Sequence, residues 1–236
     1  MTAETRLAEV RSRIAAVCAR AGRHPEEITL VAVSKGVPAD RIAEIVHLGV
    51  LDVGENKVQE AVAKAAEMSA ASSGKMPRWH FIGQLQRNKA RAVAGFASMV
   101  QSVDRPSLVT ALDRAAGQRS RPLDVLLQID LDPDPDPNRG GVRPADLAAL
   151  IDAVLTAEQL RVRGVMAVAP PLGDPRESFD RLVGYSESLQ AIQPSATIIS
   201  AGMSGDLEAA ISAGATHVRV GTALFGPRKL ASEHQT

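Results

Sequence analysis

The sequence has almost no cysteine, few aromatic residues and no excess of charge of either sign. Cys18 is its single cysteine, which excludes an intrachain disulfide and a thiolate metal cluster. Lys plus Arg and Asp plus Glu both number 27, and this balance gives no support to a nucleic-acid or membrane-surface role. No apolar run approaches membrane-span length, and the N-terminus lacks the apolar stretch of a signal peptide. We therefore expect a soluble cytoplasmic protein with no nucleic-acid or membrane partner.

Short β-type runs alternate with helical patterns along almost all of the 236 residues. Helical patterns such as PADRIAEIVHLG and PSLVTALDRAAG open with Pro and close at Gly, as helix start and stop chemistry requires. Strands that alternate with helices predict right-handed βαβ units and a parallel sheet. The eight runs are ITLVAVSKG, VLDVGEN, WHFIGQ, ASMVQSVD, LDVLLQIDL, LRVRGVMAVAP, TIISAGMS and THVRVGTALFG.

Eight such units predict a single α/β domain, a (β/α)8 TIM barrel over residues 28–226, within one domain of residues 1–236. An extra N-terminal helix over about residues 2–21 precedes it. The alternative is a doubly wound open sheet, which more often has five to seven strands and a Gly-rich first turn. Here the first strand ends in Ser34-Lys35-Gly36 without G-x-G-x-x-G, which favours the barrel.

Two segments look irregular. Residues 70–77 (AASSGKMP) predict a loop before the third strand, and residues 132–141 (DPDPDPNRGG) follow the fifth strand. The alternating acids of the second segment resemble a calcium loop, but an EF-hand needs Glu at its twelfth position, where this chain has Arg143. We expect a stiff, solvated loop at the barrel mouth and no metal site.

The ends of the seventh and eighth strands carry glycine and hydroxyl residues. Barrel active sites lie at the C-terminal ends of the strands, and phosphate commonly binds after strands seven and eight. Ser204 and Gly205 follow the seventh strand, and Gly221 and Thr222 follow the eighth. Each corner alone is compatible with ordinary turn chemistry, because Ser and Gly also occur at helix starts. Together the two corners predict a dianionic phosphate ligand.

Lys35 closes the first strand in phase with Val33 and Val31, which predicts that it reaches the mouth while the valines fill the barrel. A lysine among apolar and cationic neighbours has a lowered pKa, which makes its amine available for a Schiff base. The structural alternative is a lysine that extends into water at a strand end. The facing phosphate corners favour Schiff-base chemistry.

Arg219 lies inside the eighth strand, out of phase with its valines, which places its side chain inside the barrel. A guanidinium there needs an acceptor, because an unpaired buried charge is very costly. Either an acid such as Glu55 or a ligand atom could supply one. His80 and Asn56 also lie at or near strand ends, where each could contact a ligand or serve a satisfied structural role.

With these residues assembled, the chain resembles the YggS/PROSC family, the pyridoxal phosphate homeostasis (PLP-binding) proteins. The matching segments are LVAVSKGVPADRI, DVGENKVQE, WHFIGQLQRNKAR, QSVDR, VLLQIDL, RGVMAV and AGMSGDLEAAISAGATHVRVGTALFG. The resemblance implies a barrel of the alanine racemase N-terminal-domain type with pyridoxal 5′-phosphate as internal aldimine on the lysine of the first strand, here Lys35.

The resemblance also implies the remaining ligands of the cofactor. The phosphate would bind Ser204, Gly221 and Thr222, Asn56 would lie near the ring, and Arg219 would face the pyridine nitrogen. Two positions depart from the family pattern. Gln84 stands where the third-strand motif often has Pro, and Ala201 stands where the seventh often has Met.

The resemblance implies a protein that holds, buffers or delivers PLP in vitamin B6 and amino-acid homeostasis, with apo-PLP enzymes as recipients. The residues also favour a carrier without catalytic residues over a racemase-like enzyme. The only tyrosine, Tyr185, lies in a helical pattern expected on the outer ring, and no second domain is expected after the eighth strand. Arg219 at the pyridine nitrogen would make PLP a poor electron sink. A Schiff-base barrel enzyme without PLP is a further alternative, and a monomer is expected.

Overall fold

In a computed structural model, the eight β-type runs form eight parallel strands that close into one barrel in chain order. The structure describes residues 1–71, 75–134 and 139–227. The predicted TIM barrel is therefore confirmed. The strands are β1 (Thr29–Val33), β2 (Asp52–Glu55), β3 (Arg78–Phe81), β4 (Met99–Val103), β5 (Leu123–Gln128), β6 (Leu160–Met166), β7 (Ile198–Ser200) and β8 (His217–Val220).

Helices surround the barrel, and short 3-10 helices lie at Pro25–Glu27, Arg87–Lys89 and Pro144–Asp146. Among the described residues no helix is long and apolar enough to cross a membrane. The α-helices are α1 (Ala3–Ala21), α2 (Ala39–His47), α3 (Val58–Ala70), α4 (Ala90–Phe96), α5 (Pro106–Ala116), α6 (Leu147–Leu155), α7 (Pro175–Ile192), α8 (Leu207–Ala213) and α9 (Thr222–Phe225).

The predicted N-terminal helix is present as α1, and capping interactions define both of its ends. The Thr2 hydroxyl accepts a hydrogen bond from the Thr5 N–H at 3.1 Å, and Gly22 ends the helix at φ 66°. The apolar face of α1, which includes Leu7 and Ile14, is buried against α8 and α9 outside β1 and β8. The helix thus becomes part of the outer ring.

The eighth β-type run does not remain a strand to its end. The strand ends at Val220, and Thr222–Phe225 form α9, whose Leu224 and Phe225 N–H groups donate to the Gly221 carbonyl. A short apolar run has no periodicity that separates strand from helix, so the sequence did not distinguish the two. The loop at residues 132–141 falls partly on residues 135–138, and the loop at 70–77 partly on 72–74, both outside the described residues.

The strands bury both of their faces, as strands of parallel barrels do. Val53, Val218 and Val220 face outward and pack against the helices in one of two large hydrophobic clusters. Met99, Leu126 and Met166, which alternate with outward-facing neighbours, form a smaller cluster of their own inside the barrel. Residues separated by two positions therefore share a face, and this rule decides which polar side chains meet.

Gly164 in β6 lies at a point where backbone approaches backbone. Its φ is 148°, and a Cβ built there would lie 1.9 Å from the Ile198 carbonyl oxygen of β7. β6 and β7 pair through Gly164 and Ile198, and the β5–β6 register also shifts just before Gly164. Only glycine fits this position without displacing β7.

We expect Gly164→Ala to lower the free energy of unfolding by about 2 kcal/mol or more, because the methyl group must push two paired strands apart. Urea unfolding followed by circular dichroism measures the change. The matched control is Gly184→Ala in the exposed face of α7, where a Cβ meets nothing within 4 Å. That variant should gain up to about 1 kcal/mol through helix propensity. Equal stability of the two variants would contradict the expectation.

Candidate functional site

The sequence-predicted site residues lie together at one end of the barrel. Lys35 follows β1, Asn56 follows β2, Ser204 follows β7, and Gly221 and Thr222 follow β8. In the closed order β7, β8, β1 and β2 are successive neighbours, so the C-terminal ends of these four strands form one sector of the mouth. Barrel active sites lie at this end.

Lys35 is half-buried between a fully buried Ser34 and a glycine in left-handed conformation. Gly36 has φ 71°, and its N–H donates to Glu60 Oε1 at 2.6 Å. The Lys35 ammonium itself has no hydrogen-bond or ion-pair partner within the described part of the chain. The backbone on both sides of Lys35 is therefore held, while its amine is left uncommitted.

Lys64 of α3 binds the backbone of the turn that carries Lys35. This role was not predicted from the sequence. Its buried Nζ donates to the Ser34 carbonyl at 2.7 Å, and to Glu55 Oε1 and Glu60 Oε1 at 2.6 Å each. The Ser34 hydroxyl donates to the same Glu55 oxygen at 2.6 Å. One ammonium thus joins the end of β1, the end of β2 and α3.

Glu55 has the most unusual environment of this group. Burial raises the pKa of the Glu55 carboxyl, although hydrogen bonds from Lys64 and Ser34 oppose the shift. Glu55 Oε2 and the neighbouring Asn56 Oδ1 are both buried without a hydrogen-bond partner. Unsatisfied buried oxygens are rare in proteins, and that of Asn56, which follows β2 at the barrel mouth, indicates a place where a further donor can bind.

The suggestion that Glu55 pairs with Arg219 is wrong. Glu55 lies on the same face of β2 as Val53, which packs outward, whereas Arg219 lies between outward-facing Val218 and Val220. The barrel wall therefore separates the two side chains. The Arg219 guanidinium instead donates to the Ser200 hydroxyl and to the Ala167 carbonyl, both at 2.8 Å.

Arg219 is fully buried and has no carboxylate partner among the described residues. Desolvation lowers its pKa to about 10, which leaves the guanidinium charged at neutral pH. The two acceptors lie at the C-terminal ends of neighbouring strands, since Ser200 ends β7 and Ala167 follows β6, so the guanidinium lies near the mouth. The Arg219 backbone N–H also donates to the Gly202 carbonyl at 2.9 Å.

A chain of hydrogen bonds continues from Arg219 through the barrel interior. The Ser200 hydroxyl accepts from Arg219 and donates to Gln101 Oε1 at 2.7 Å. The Gln101 amide nitrogen then donates to His80 Nδ1 at 2.7 Å, and His80 Nε2 donates to Asp52 at 3.0 Å. Each acceptor assigns the next donor, so the chain runs in one direction from cation to carboxylate.

Asp52 ends this chain at the opposite end of the barrel. Burial acts to raise its pKa, but hydrogen bonds from His80 and Arg78 outweigh that effect and hold the pKa well below its ordinary range. Arg78 Nε donates to Asp52 Oδ1 at 2.8 Å. His80 is buried with both ring nitrogens bonded, so of its two predicted roles the structural one is observed.

The two glycine corners present donors that are not used elsewhere. Within the described residues, the N–H groups and hydroxyls of Ser204 and Thr222 and the N–H of Gly205 have no acceptor. Gly202, at φ 88°, makes this possible, because a Cβ there would lie 2.6 Å from the Ala210 Cβ. The turn can therefore pack tightly on α8 and carry Ser204 and Gly205 beside β8. Uncommitted N–H and O–H donors of this kind fit an anionic oxygen group.

Arginine side chains neutralise the described acids of the loop after β5. Arg143 Nη1 donates to Asp130 Oδ2 at 3.0 Å and to the Asp132 carbonyl at 2.7 Å, and Arg139 pairs with the Asp132 carboxylate. No group of three metal-ligating side chains occurs in the described ranges. The part of this loop that the structure describes is an arginine–aspartate network.

Comparisons with known proteins agree with this geometry. A family model described as "Alanine racemase, N-terminal domain" matches residues 5–229. The pyridoxal phosphate homeostasis protein of Mycobacterium tuberculosis (strain ATCC 25618 / H37Rv) is 43% identical, over 96% of this chain and 93% of its own. That of Escherichia coli (strain K12) is 40% identical, over 94% and 95%. The chain belongs to the pyridoxal phosphate homeostasis protein family.

Solved structures extend the comparison. PipY of Synechococcus elongatus PCC7942, with PLP bound, superposes with a TM-score of 0.82 at 36% identity, over 95% of this chain and all of PipY. The alanine racemase of Corynebacterium glutamicum has a TM-score of 0.63 at 15% identity, over 94% of this chain and 61% of its own, and it shares the fold alone. The predicted resemblance to the PLP homeostasis family is thus confirmed.

The structure also places the two positions that the resemblance set apart, Ala201 and Gln84, and the single tyrosine. Ala201 is fully buried in the cluster between barrel and helices, with Ala210 and Ala215, so its side chain packs on the outside of the barrel wall. Gln84 is exposed in the loop after β3. Tyr185 lies on the outer helix α7, where it packs against the same cluster as Ala201.

We expect Lys64→Met to lower the free energy of unfolding by about 3 kcal/mol, because Glu55 then remains buried without its cation. Urea unfolding at neutral pH measures the loss. The double variant Lys64→Met/Glu55→Gln should recover part of it, since the buried carboxylate is removed too. A Lys64→Met protein as stable as the wild type would show that the ammonium contributes nothing.

His217, inside the barrel beside His80, should make stability depend on pH. Burial, with a smaller contribution from His80, lowers the pKa of His217 to about 4. The unfolded chain, with a pKa of about 6.5, then binds a proton that the folded chain does not. This contribution is complete above about pH 6.5 and is lost as the pH falls to about 4, by about 1 kcal/mol per pH unit.

Urea unfolding at several pH values between about 7 and about 4 tests this expectation. His217→Gln should flatten the decline, whereas His47→Gln, at an exposed histidine of α2, should leave it in place. An unchanged decline in His217→Gln would assign the acid sensitivity to other groups.

Proposed function

We propose that this protein binds pyridoxal 5′-phosphate as a Schiff base on Lys35 and holds, buffers or delivers the cofactor. The observation that carries the proposal is the uncommitted Lys35 amine in the same sector of the mouth as unused phosphate-type donors. Relatives at 40–43% identity are named pyridoxal phosphate homeostasis proteins, and a structural neighbour is described with PLP bound. A carrier of this kind acts in the cytoplasm as a monomer.

In this proposal the remaining site residues each contact a different part of the cofactor. Ser204, Gly221 and Thr222 hold the phosphate, supported by the unused N–H and hydroxyl donors of both corners. Gly221 lets the end of β8 lie close to β1, because a Cβ there would lie 3.1 Å from the Val33 carbonyl oxygen. Asn56 lies near the ring, where its buried Oδ1 lacks a partner.

Arg219 faces the pyridine nitrogen in the proposed complex. Its guanidinium remains protonated, with a pKa of about 10, and so can only donate to that nitrogen. An unprotonated pyridine nitrogen is a poor electron sink, which disfavours carbanion chemistry on a bound amino acid. The single tyrosine lies on the outer helix α7, away from the mouth, and supplies no second base. A carrier without robust turnover therefore fits better than an enzyme.

We expect the purified protein mixed with PLP to develop a visible absorption band that Lys35→Ala loses. Borohydride reduction followed by peptide mass spectrometry should place the pyridoxyl group on Lys35. The matched control is Lys57→Ala, which removes an exposed lysine beside the same mouth and should keep the band. Lys35→Ala should stay folded, because the Lys35 ammonium makes no hydrogen bond or ion pair within the described residues.

The same preparation separates the alternatives. A racemase-like enzyme would convert L-alanine to D-alanine at ordinary enzyme rates. A Schiff-base barrel enzyme without PLP would remain colourless when PLP is added, yet its lysine could be trapped with a carbonyl compound. Transfer of PLP from the loaded protein to an apo-enzyme supports delivery, whereas a band that persists in Lys35→Ala would refute the assignment of the lysine.

A further inference from the structure

The outer ring of helices carries an arginine-rich groove between α4, which follows β3, and α5, which follows β4. Small residues form its floor, and arginines stand along both sides. The groove has a volume of about 680 Å³ and adjoins a second hollow of about 780 Å³. Arg87, Asn88, Ala111 and Arg114 line both, so the two form one continuous depression.

The charge of this groove is one-sided. Arg87, Arg91, Arg114 and Arg119 line it, and no carboxylate does. None of these four arginines has an ion-pair partner within the described ranges of the chain. The whole sequence has no net charge, so this excess is local. Like charges crowded on one surface repel each other, and an anionic partner relieves that repulsion.

Arg119 supplies a second, independent observation. One of its Nη atoms donates to the Ala94 carbonyl of α4, yet its Nε is buried without any acceptor. Burial, and then the positive charge of Arg121, lower the pKa of Arg119. Arg119 therefore adds a charged side chain with an unsatisfied donor to this end of the groove.

The groove leads to the mouth of the barrel. Arg87 belongs to the 3-10 helix that follows β3, and Arg105, which lines the upper hollow, follows β4. Both strands end at the same edge of the barrel as β1, which carries Lys35. Arg105 is occupied, since it donates to Asp104 and to the Leu85 carbonyl. The unpaired arginines begin just outside it.

We propose that the α4–α5 groove is a docking surface for an acidic helical segment of another protein. A floor of Ala94, Gly95, Ala111 and Ala115 allows the backbone of a third helix to approach closely. A Cβ at Gly95 would meet nothing within 4 Å, so the groove is open at its centre. Carboxylates one turn apart on that segment can pair with Arg87 and Arg91 on one side and with Arg114 on the other.

Other anions fit the groove less well. The residues that line it include no aromatic side chain, whereas single-stranded nucleic acid needs aromatic platforms for its bases. The arginines are spread over α4, α5 and the segments next to them, whereas a single phosphate group would require them to converge on one point. The groove is defined without Lys35, so this proposal does not depend on PLP binding. In the closed strand order β4 lies opposite β8, so a partner bound here would lie on the other side of the barrel from the proposed phosphate corners.

The test measures binding of a fluorescently labelled helical peptide that carries Glu at i and i+4 positions on an alanine background. Fluorescence anisotropy should show binding to the wild-type protein that weakens with added salt. Arg91→Gln/Arg114→Gln should weaken it roughly tenfold or more. Gly95→Gln, which fills the groove and changes no charge, should weaken it comparably. The matched control is Arg11→Gln/Arg20→Gln on α1, which removes the same charge elsewhere and should change the affinity less than about twofold.

Several results would overturn the proposal. One is an absence of peptide binding by the wild type, and another is equal weakening in the α1 control, which would mean non-specific attraction. Tighter binding of a single-stranded oligonucleotide, or competition by millimolar inorganic phosphate at constant ionic strength, would assign the groove to a different anion. Full binding by Gly95→Gln would show that the peptide lies elsewhere. Thermal unfolding of each variant checks that it is folded, and the visible band with PLP reports separately on the cofactor site.

Discussion

Closure of the barrel is the constraint on which the rest of this structure depends. Eight parallel strands that close on themselves leave no edge, and they give every side chain only two directions, into the barrel or out toward the helices. A polar side chain that points inward must find its partner there, since water is excluded. The hydrogen-bond chain from Arg219 to Asp52 meets this requirement. It distributes one buried cation over neutral acceptors and ends on a carboxylate that Arg78 and His80 also stabilise.

The same constraint separates two polar systems that lie close together. Asp52 faces into the barrel, and Glu55, three residues later in the same strand, faces out toward Lys64. The inner system holds Arg219 near the mouth, and the outer system holds the turn that carries Lys35. The two side chains with the proposed cofactor roles are therefore supported by different networks on opposite sides of one wall. Disruption of one network leaves the partners of the other in place.

The cationic side chains of this protein fall into two groups. Those paired with carboxylates hold the backbone in position, and those without such a partner can contact a ligand. Lys64, Arg78 and Arg143 are bound to carboxylates and hold backbone segments in position. Among the residues that the structure describes, Lys35 at the mouth has no such partner, and neither do the four arginines of the α4–α5 groove. An uncompensated charge on a protein without net charge is available for a ligand. The mouth and the groove are thus two places where this surface can bind an anion.

The sequence by itself determined the eight-unit barrel, because alternating strand and helix patterns depend only on local periodicity and turn residues. It also determined that Lys35, Ser204 and Thr222 meet at one end, since parallel strands place every strand-to-helix turn on the same edge. The inward direction of Arg219 followed from the two-residue period of its strand. Each of these properties can be derived from residues close together in the chain.

Only the tertiary structure decided which partners these residues have. Lys64 reaches Ser34 from 30 residues away, and Arg219 reaches Ala167 from 52 residues away. The Glu60–Lys64 spacing was a visible signal of an ion pair in α3, but nothing local indicated that its ammonium would also hold Glu55. The sequence also did not reveal that α9 follows β8 directly or that four arginines line one groove. Such partners depend on strand register and helix packing, which are properties of the closed barrel as a whole.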